Sequence, residues 1–467
     1  MDKQEKTLYF DRIADGDRWL RKRRYYRQQV QKLARFIVPE GKSVLEVGSG
    51  SGDALAALQP SRGVGVDFSR KMVALAGQRH PGLTFHVDDI ERLKRRERFD
   101  YVLMLDLLGQ LSDIHAAFTG LRVVTTPESR VLITYYNHLW EPVLKLAESL
   151  HLKARQFEQN WLSSQDVENI LSLADFEIVQ KGEQVLIPVD IPLLSWAVNK
   201  YVAPLPGIRR LCLLKYVVAK RTIRQKKDYS VSIIIPCRNE AGNIEAAIDR
   251  MPAFGKRQQM IFVDGNSTDG TLEKIKAVIR KHRNKDISLI LQGDGRGKGD
   301  AVRKGFDAAS GDVLMILDAD LTVPPEDLPK FYDAIADGKG EFINGTRLVY
   351  PMEKQAMRTI NLFGNKMFSV IFTWLLNQRI KDTLCGTKVL FRKDYQKIKE
   401  NRAFFGDFDP FGDFDLLFGA AKQNLKIIDM PVRYRSRTYG ETKISRFRHG
   451  MILLRMCVFA AGKLKFR

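Results

Sequence analysis

Two carboxylates close an apolar run in "GDVLMILDADLTV", residues 311–323. Val313 to Leu317 reads as a strand buried on both faces. Asp318 and Asp320 stand two residues apart on the extended chain leaving it, and so on one side. At ~6 Å and an effective dielectric of ~20 they repel each other by roughly 3 kcal/mol. A cation offsets such a cost. Mg²⁺ or Mn²⁺, both oxygen-loving, can bridge carboxylates and phosphate oxygens and act as a Lewis acid on a departing diphosphate. A lone D-x-D is a weak signal, because surface Asp pairs are common; this one ends a fully apolar strand and follows three ordered elements.

Those elements must bring further groups to the same place. "YSVSIIIPCRNEAGNIEAAIDRM" (229–251) is a β-branched strand, a turn bearing Pro236, Arg238 and Glu240, and a helix from near Asn243. "QMIFVDGNSTDGTLEKI" (259–275) is a strand ending at Asp264, with a turn that caps a helix. "GRGKGDAVRKGFDAASGD" (295–312) is a glycine- and lysine-rich loop leading into another helix. Arg238, Arg296 and Lys298 are cations suited to phosphates, although each one taken singly reads equally well as a solvated charge.

A second constellation lies nearer the N-terminus. In "KSVLEVGSGSGDALAAL" (42–58) a strand closes at Glu46, Gly48, Gly50 and Gly52 make a turn, and a helix begins. Glycines there admit positive φ and let a ligand approach the backbone beside a helix N-terminus. The next strand, "GVGVDFS" (63–69), ends in Asp67, about where an acid binds ribose hydroxyls. "LTFHVDDIERL" (83–93) ends in Asp88 and Asp89, and "FDYVLMLDLLGQL" (99–111) in Asp106. Four successive strands thus carry polar groups at their carboxyl ends, the ligand side of an open α/β sheet. Asp106, Tyr135, Tyr136 and His138 lie toward an acceptor, although a single Tyr or His after a strand is commonly just packed.

At 467 residues the chain is too long for one core. Its 76 Lys and Arg against 55 Asp and Glu give +21, which calls for an anionic partner: nucleic acid, anionic lipid or a phosphorylated small molecule. Four scattered cysteines without a C-x-x-C pair disfavour a disulfide framework or zinc site and fit a reducing cytoplasm. The N-terminus has no apolar signal region, and no run nears the ~18 apolar residues of a spanning helix. "MFSVIFTWLL" (367–376) and "GMILLRMCVFAAGKL" (450–464), flanked by Lys or Arg, read as core helices or as interfacial helices on an anionic membrane. The expected division is 1–185, a helical appendix and basic linker over 186–229, 230–450, and a C-terminal helix over 451–467.

Over residues 35–180 the motifs resemble those of class I S-adenosylmethionine-dependent methyltransferases. The resemblance implies that Glu46, Gly48, Gly50 and Gly52 wrap the amino-acid end of the cofactor. It also implies that Asp67 binds the ribose, that Asp89 rather than Asp88 meets the adenine amino group, and that Asp106 completes the site. The G-x-G-x-G spacing disfavours a nicotinamide binder. Methyl transfer is helped mostly by positioning, so no universal catalytic residue is implied.

Over 230–450, "PCRNEAGNI", "VDGNSTDGT", "GKGDAVRKGF" and "DADL" occur in the order that resembles inverting family 2 glycosyltransferases of GT-A fold, especially those acting on polyprenyl phosphates. The resemblance implies that Pro236, Arg238, Glu240, Asp264, Lys298 and Asp318 hold a nucleotide sugar. Asp318 and Asp320 then hold Mg²⁺ or Mn²⁺. Arg347, "DTLCGTKVLFR" (382–392) and "FGDFDLL" (411–417) look like acceptor-side elements, with Asp413 at the base position and Asp415 beside it. Asp413 is required as a base for a sugar hydroxyl but not for a lipid phosphate, which is already ionised. In "RYRSRTYGETKISRFRHG" (433–450), Arg435, Arg437 and Lys443 suit a phosphate-bearing acceptor or the departing diphosphate.

The fold class expected is α/β in two domains, a Rossmann-like methyltransferase sheet followed by a GT-A nucleotide-sugar-binding domain. The function expected is a bifunctional enzyme using S-adenosylmethionine and a nucleotide-sugar donor, with a lipid-phosphate or glycan acceptor. Its expected place is cytoplasmic, with peripheral attachment to the inner membrane face. Two alternatives stand beside it: a glycosyltransferase with a non-catalytic cofactor-binding domain, and a basic nucleic-acid-modifying methyltransferase. Nucleic acid is disfavoured, because phosphate-rich chemistry beside an anionic membrane also explains the charge.

Overall fold

The computed structural model describes residues 7–9, 11, 24–93, 95–150, 159–222, 226–295, 297–349, 359–404, 412–435, 437, 439 and 446–467. Arg296 and Lys443 lie outside these residues. The chain divides between Thr222 and Ile223 into two compact units. Each is an α/β unit built on a seven-stranded mixed sheet.

The first sheet is formed by β1 (Ser43–Val47), β2 (Arg62–Asp67), β3 (Thr84–Val87), β4 (Phe99–Met104), β5 (Thr125–Tyr136), β6 (Phe176–Gln184) and β7 (Leu214–Arg221). Their order is β3-β2-β1-β4-β5-β7-β6. The first five strands run parallel, and β7 runs antiparallel to both β5 and β6. β1 sits centrally, with Leu45 and Val47 in one core layer and Val44 in the opposite one. Helix α1 (Arg24–Ile37) turns Val30, Leu33, Ala34 and Ile37 inward, an i, i+3, i+4, i+7 stripe. Helices α2 (Asp53–Ala57) and α3 (Arg70–Arg79) follow the first two strands. Ser69 caps α3 by accepting from the Met72 amide.

The stretch read as a helical appendix has helical turns at Leu194–Ala197 and Ile208–Leu211, but strand β7 then enters the sheet. The run "LKYVVAKR" has the β-branched and aromatic content of a strand. Its insertion between β5 and β6 is a long-range pairing that local pattern cannot disclose.

The second sheet contains β8 (Ser230–Cys237), β9 (Arg257–Asp264), β10 (Asp286–Leu291), β11 (Val313–Ile316), β12 (Phe342–Thr346), β13 (Lys388–Phe391) and β14 (Ile427–Pro431). The order is β10-β9-β8-β11-β13-β12-β14, with β13 antiparallel to β11 and β12. All four residues of β11 are buried, as a strand covered on both faces requires. Helices α4 (Thr271–Lys281) and α5 (Gly297–Ala308) follow β9 and β10. The two apolar runs become α6 (Thr359–Leu376) and, after α7 (Asp413–Lys422), α8 (Arg446–Leu464). α6 and α8 pack together, burying Phe372, Leu375, Leu453 and Ala460 while Val370 and Val458 face outward. Among the described residues no helix is long and apolar enough to cross a membrane.

Candidate functional site

In the first unit the carboxyl ends of β1 to β4 converge on the glycine turn. Gly48, Gly50 and Gly52 all have positive φ, at 70°, 50° and 75°. A Cβ at Gly52 would lie 2.5 Å from the Phe85 ring, whereas at Gly50 it would meet nothing within 4 Å. Backbone conformation and close packing both demand glycine at 52; at 50 the backbone demands it and the space stays open for a ligand. The Asp67 carboxylate accepts from the Gly50 and Ser69 amides, both at 2.9 Å, and so ties β2 to the turn. Burial raises its pKa, with the Asp11 carboxylate adding to the rise against the opposing amides.

A cleft beside the turn is lined by Val47, Gly48, Asp67, Phe68, Asp88 and Asp89, among others. Asp89 also caps a short turn, accepting from the Glu91 amide at 3.2 Å. Glu46, Gly50, Gly52 and Asp106 are not among the cleft's lining residues. The Glu46 carboxylate points instead to α2 and accepts from the Leu55 amide at 3.1 Å. Burial pushes its pKa up to about 8, against the opposing Leu55 amide and Arg27 charge. Asp106 holds φ at 54°, fixed by Thr134 Oγ1 and Tyr26 OH, which donate to its Oδ1 at 2.8 and 3.2 Å. Tyr135 is buried, its hydroxyl donating to Ser164 Oγ at 3.3 Å, and Tyr136 packs edge-on to Tyr26. His138 Nδ1 is buried without a hydrogen-bond partner.

In the second unit Asp318 and Asp320 follow β11, and each already faces a cation. Lys298 Nζ lies 2.6 Å from Asp318 Oδ1, and Arg437 Nη2 lies 2.6 Å from Asp320 Oδ2. Asp320 Oδ1 also accepts from the Thr322 amide and hydroxyl at 3.1 and 2.8 Å. Burial opposes the charge of Lys298, yet Asp318, Asp413 and Asp320 outweigh it and raise its pKa. Gly386 lets the backbone pack close against Asp318 and Lys298, since a Cβ there would overlap Asp318 Oδ2 and Lys298 Nζ.

Three further elements close on this pair. Glu240 is buried, accepts from Asn243 Nδ2 at 2.8 Å and stands 3.9 Å from Arg437. Asp264 is buried; its Oδ2 accepts from the Ser267 amide at 3.2 Å, while Oδ1 has no hydrogen-bond partner. Pro236 pairs in register with Val263 at the end of β8, and Arg238 is exposed beyond it. Gly412 (φ 76°) rests on the start of α5, where a Cβ would come within 3.0 Å of Gly299 Cα. That contact places Asp413, the first residue of α7, near Lys298, with buried Lys388 at 3.7 Å. Asp415 faces Arg402 at 3.3 Å.

The chain after β14 crosses the same edge. The Arg435 amide donates to the Thr322 carbonyl at 3.0 Å, and the Arg435 side chain is exposed. Arg437 follows on Asp320, and the Tyr439 hydroxyl donates to Asp269 at 3.4 Å. Arg347 is engaged elsewhere: its Nε and Nη2 donate to the two oxygens of fully buried Asp382 at 2.7 and 2.9 Å. Asp382, Gly386 and Lys388 fall in the stretch 382–392 that reads as an acceptor-side element, but the sequence singles out none of them individually, nor Thr322. Lys388 could have been singled out, as a lysine opening the otherwise apolar strand "KVLF". Among the described residues no group of three or more His, Cys, Asp or Glu is placed to hold a metal ion.

Residues 18–181 match the family model described as methyltransferase domain, and residues 232–399 match glycosyl transferase family 2. The dolichol-phosphate mannosyltransferase of Pyrococcus furiosus is 38% identical over 219 residues, 46% of this chain and 59% of that protein. That of Saccharomyces cerevisiae is 37% identical over 121 residues, 25% of this chain and 44% of that one. The undecaprenyl-phosphate 4-deoxy-4-formamido-L-arabinose transferase of Aeromonas hydrophila is 32% identical over 112 residues, 23% of this chain and 34% of that one. The chain thus spans between a third and three-fifths of the length of these relatives. The magnesium protoporphyrin IX methyltransferase of Synechocystis, solved with bound SAH, is 20% identical. It covers 47% of this chain and 100% of its own, at a TM-score of 0.35, too low to carry weight. The chain joins a methyltransferase domain to a glycosyl transferase domain of family 2.

Proposed function

We propose that the second unit transfers a sugar from a nucleotide-sugar donor to a polyprenyl phosphate or a similar lipid phosphate, and that the first unit transfers a methyl group. One observation carries the sugar-transfer reading. Asp318 and Asp320 leave an apolar strand together, each neutralised by one cation, with the Gly386 backbone packed close against Asp318. Two carboxylates are the hard oxygen donors that a small divalent ion selects. Asp318 and Asp320 would hold Mg²⁺ or Mn²⁺, which supplies Lewis-acid stabilisation of the leaving diphosphate.

The chain's own residues account for the other demands. Lys298 and Arg437 bring positive charge to the carboxylate pair and are suited to the phosphate oxygens. Asp264 Oδ1, buried and unpartnered, is an acceptor for a nucleoside N–H or hydroxyl. Asp413 lies near two lysines, Lys388 and Lys298. An acceptor phosphate, already ionised, needs no base at that position, whereas a sugar hydroxyl would.

The first unit fits S-adenosylmethionine. Ser49 Oγ in the glycine turn is buried and unpartnered, and Asp67 and Asp89 present carboxylates at the cleft. Gly48 and Gly50 would admit the cofactor against the backbone, Asp67 would accept from its ribose hydroxyls and Asp89 from its adenine amino group. The bound cofactor supplies an activated methyl group, and the protein's task is to position the acceptor.

The test is a panel of radiolabelled sugar nucleotides, given to the purified chain with and without polyprenyl phosphate and divalent cation. The reading requires organic-extractable label from at least one donor, dependent on the lipid phosphate. Label that appears only in a water-soluble glycan would overturn the acceptor assignment.

A further inference from the structure

The connection from β6 to β7 belongs to neither proposed site. In register, the start of β7 pairs with the ends of both neighbours, Leu214 with Tyr136 of β5 and with Gln184 of β6. The connection therefore leaves the sheet on the edge where the parallel strands end, which is also the edge of the cofactor cleft. Its side chains are disposed contrary to ordinary burial. Val189, Ile191, Leu193, Leu194, Trp196 and Leu211 are all exposed, with Leu193 at 83% and Trp196 at 52%.

The loop is nonetheless built. The buried Ser195 hydroxyl accepts from the Ile191 amide at 3.0 Å and donates to the Val189 carbonyl at 2.7 Å. Asn199 accepts from the Leu186 and Ile187 amides at 2.8 and 2.9 Å and donates to the Ile187 carbonyl at 2.8 Å. The polar side chains form the inner support and the apolar ones face out. At the tip Leu193 holds φ at 62° and ψ at −42°, a positive-φ conformation strained for a residue that carries a Cβ, with the Leu194 amide donating to the Pro192 carbonyl at 2.7 Å. A chain that holds strained backbone in order to display leucine to water has a partner for it.

Charge identifies that partner. Over 186–213 the only acid is Asp190, against Lys200, Arg209 and Arg210. Lys200 Nζ lies 5.4 Å from the Trp196 ring centre and 5.6 Å from that of Tyr201. An apolar tip with Trp, Tyr and Lys behind it is the composition of a surface that enters the headgroup region of an anionic bilayer. We propose that the loop Leu186–Leu213 docks the methyltransferase unit on an anionic membrane, with the cofactor edge toward the lipid and so within reach of acceptors anchored there. The docking does not depend on sugar transfer and stands or falls separately.

All four native cysteines are buried, so Leu193→Cys in the full chain offers a selective site for a polarity-sensitive fluorophore. Vesicles of phosphatidylcholine with about one-third phosphatidylglycerol should shift its emission to the blue, and brominated acyl chains should quench it. Pure phosphatidylcholine should give a much weaker response. Leu194→Ser together with Trp196→Ser should reduce partitioning of that probe about tenfold or more, and Lys200→Glu should reduce it less. Three outcomes overturn the proposal. The chain cosediments while the probe at 193 stays in water; the probe responds equally to uncharged vesicles; or it shifts with protein concentration alone, which would mean that a second copy covers the loop.

Discussion

The two units bring their sites to the same place in closely similar sheets and give them opposite electrostatics. In both, the first four strands are ordered 3-2-1-4, and acids stand at their carboxyl ends. In the first unit those acids are held by backbone amides: Asp67 by Gly50 and Ser69, Glu46 by Leu55. Burial raises the pKa of both, and the charge acting on Asp67 is another carboxylate, Asp11. In the second unit each carboxylate of the D-x-D meets a cation within 2.6 Å, and Lys298 is held charged. A cleft acid held by backbone amides, as Asp67 is, suits a ligand that carries positive charge and hydroxyl donors. An edge with interleaved acids and cations suits a diphosphate with its metal. Topology sets where a ligand sits, and the partners of the acids decide its charge.

The largest effect should follow from breaking the second edge. Asp320→Ala should lower sugar transfer by about a thousandfold or more, near 4 kcal/mol of transition-state stabilisation, with cofactor binding by the first unit unchanged. Steady-state transfer and calorimetric cofactor binding on one preparation check both halves. Next is the buried pair behind the site. Asp382→Ala leaves Arg347 charged and unpaired and should destabilise the second unit by ~3–5 kcal/mol. Urea denaturation followed by unit-specific probes should show the first unit unmoved. Restored stability in Arg347→Met with Asp382→Leu would mark the pair as structural.

The third effect depends on pH. Glu46 has its pKa raised to about 8, so between the ordinary carboxyl range and pH 8 the folded first unit holds a proton that the unfolded chain has released. Its stability should fall as pH rises through that window, by about 1.4 kcal/mol per unit from this group. Glu46→Gln should flatten the decline, and an unchanged slope of unfolding free energy against pH would assign it elsewhere. The smallest effect is at the ribose acid. Asp67→Asn should weaken cofactor binding about tenfold and leave sugar transfer alone. Equal loss in both activities would mean that the two edges are not independent.

Strand ends and turn residues were legible because their signals are local. "DAD" after an apolar strand, Gly48, Gly50 and Gly52 in the first turn, and Asp67 after β2 all lie in continuous pieces of sequence. What sequence could not disclose is pairing at a distance. Arg347 reads as an acceptor-side residue, and only the fold brings buried Asp382, 35 residues away, onto its guanidinium. β7 reads as part of a linker until its partners β5 and β6 are known. Glu46 belongs to a glycine-turn motif, yet strand alternation directs it to α2, away from the cleft that Gly48 and Asp67 line. The motif places the residue, and the pleat decides which face receives it.

The proposed function places a metal-dependent anion site and a metal-independent cofactor site on one chain. The direct measurement follows sugar transfer to polyprenyl phosphate and binding of S-adenosylmethionine in the same sample, before and after EDTA and then with Mn²⁺ restored. The account requires transfer to vanish and return while cofactor affinity stays constant. Undiminished transfer in EDTA would contradict it.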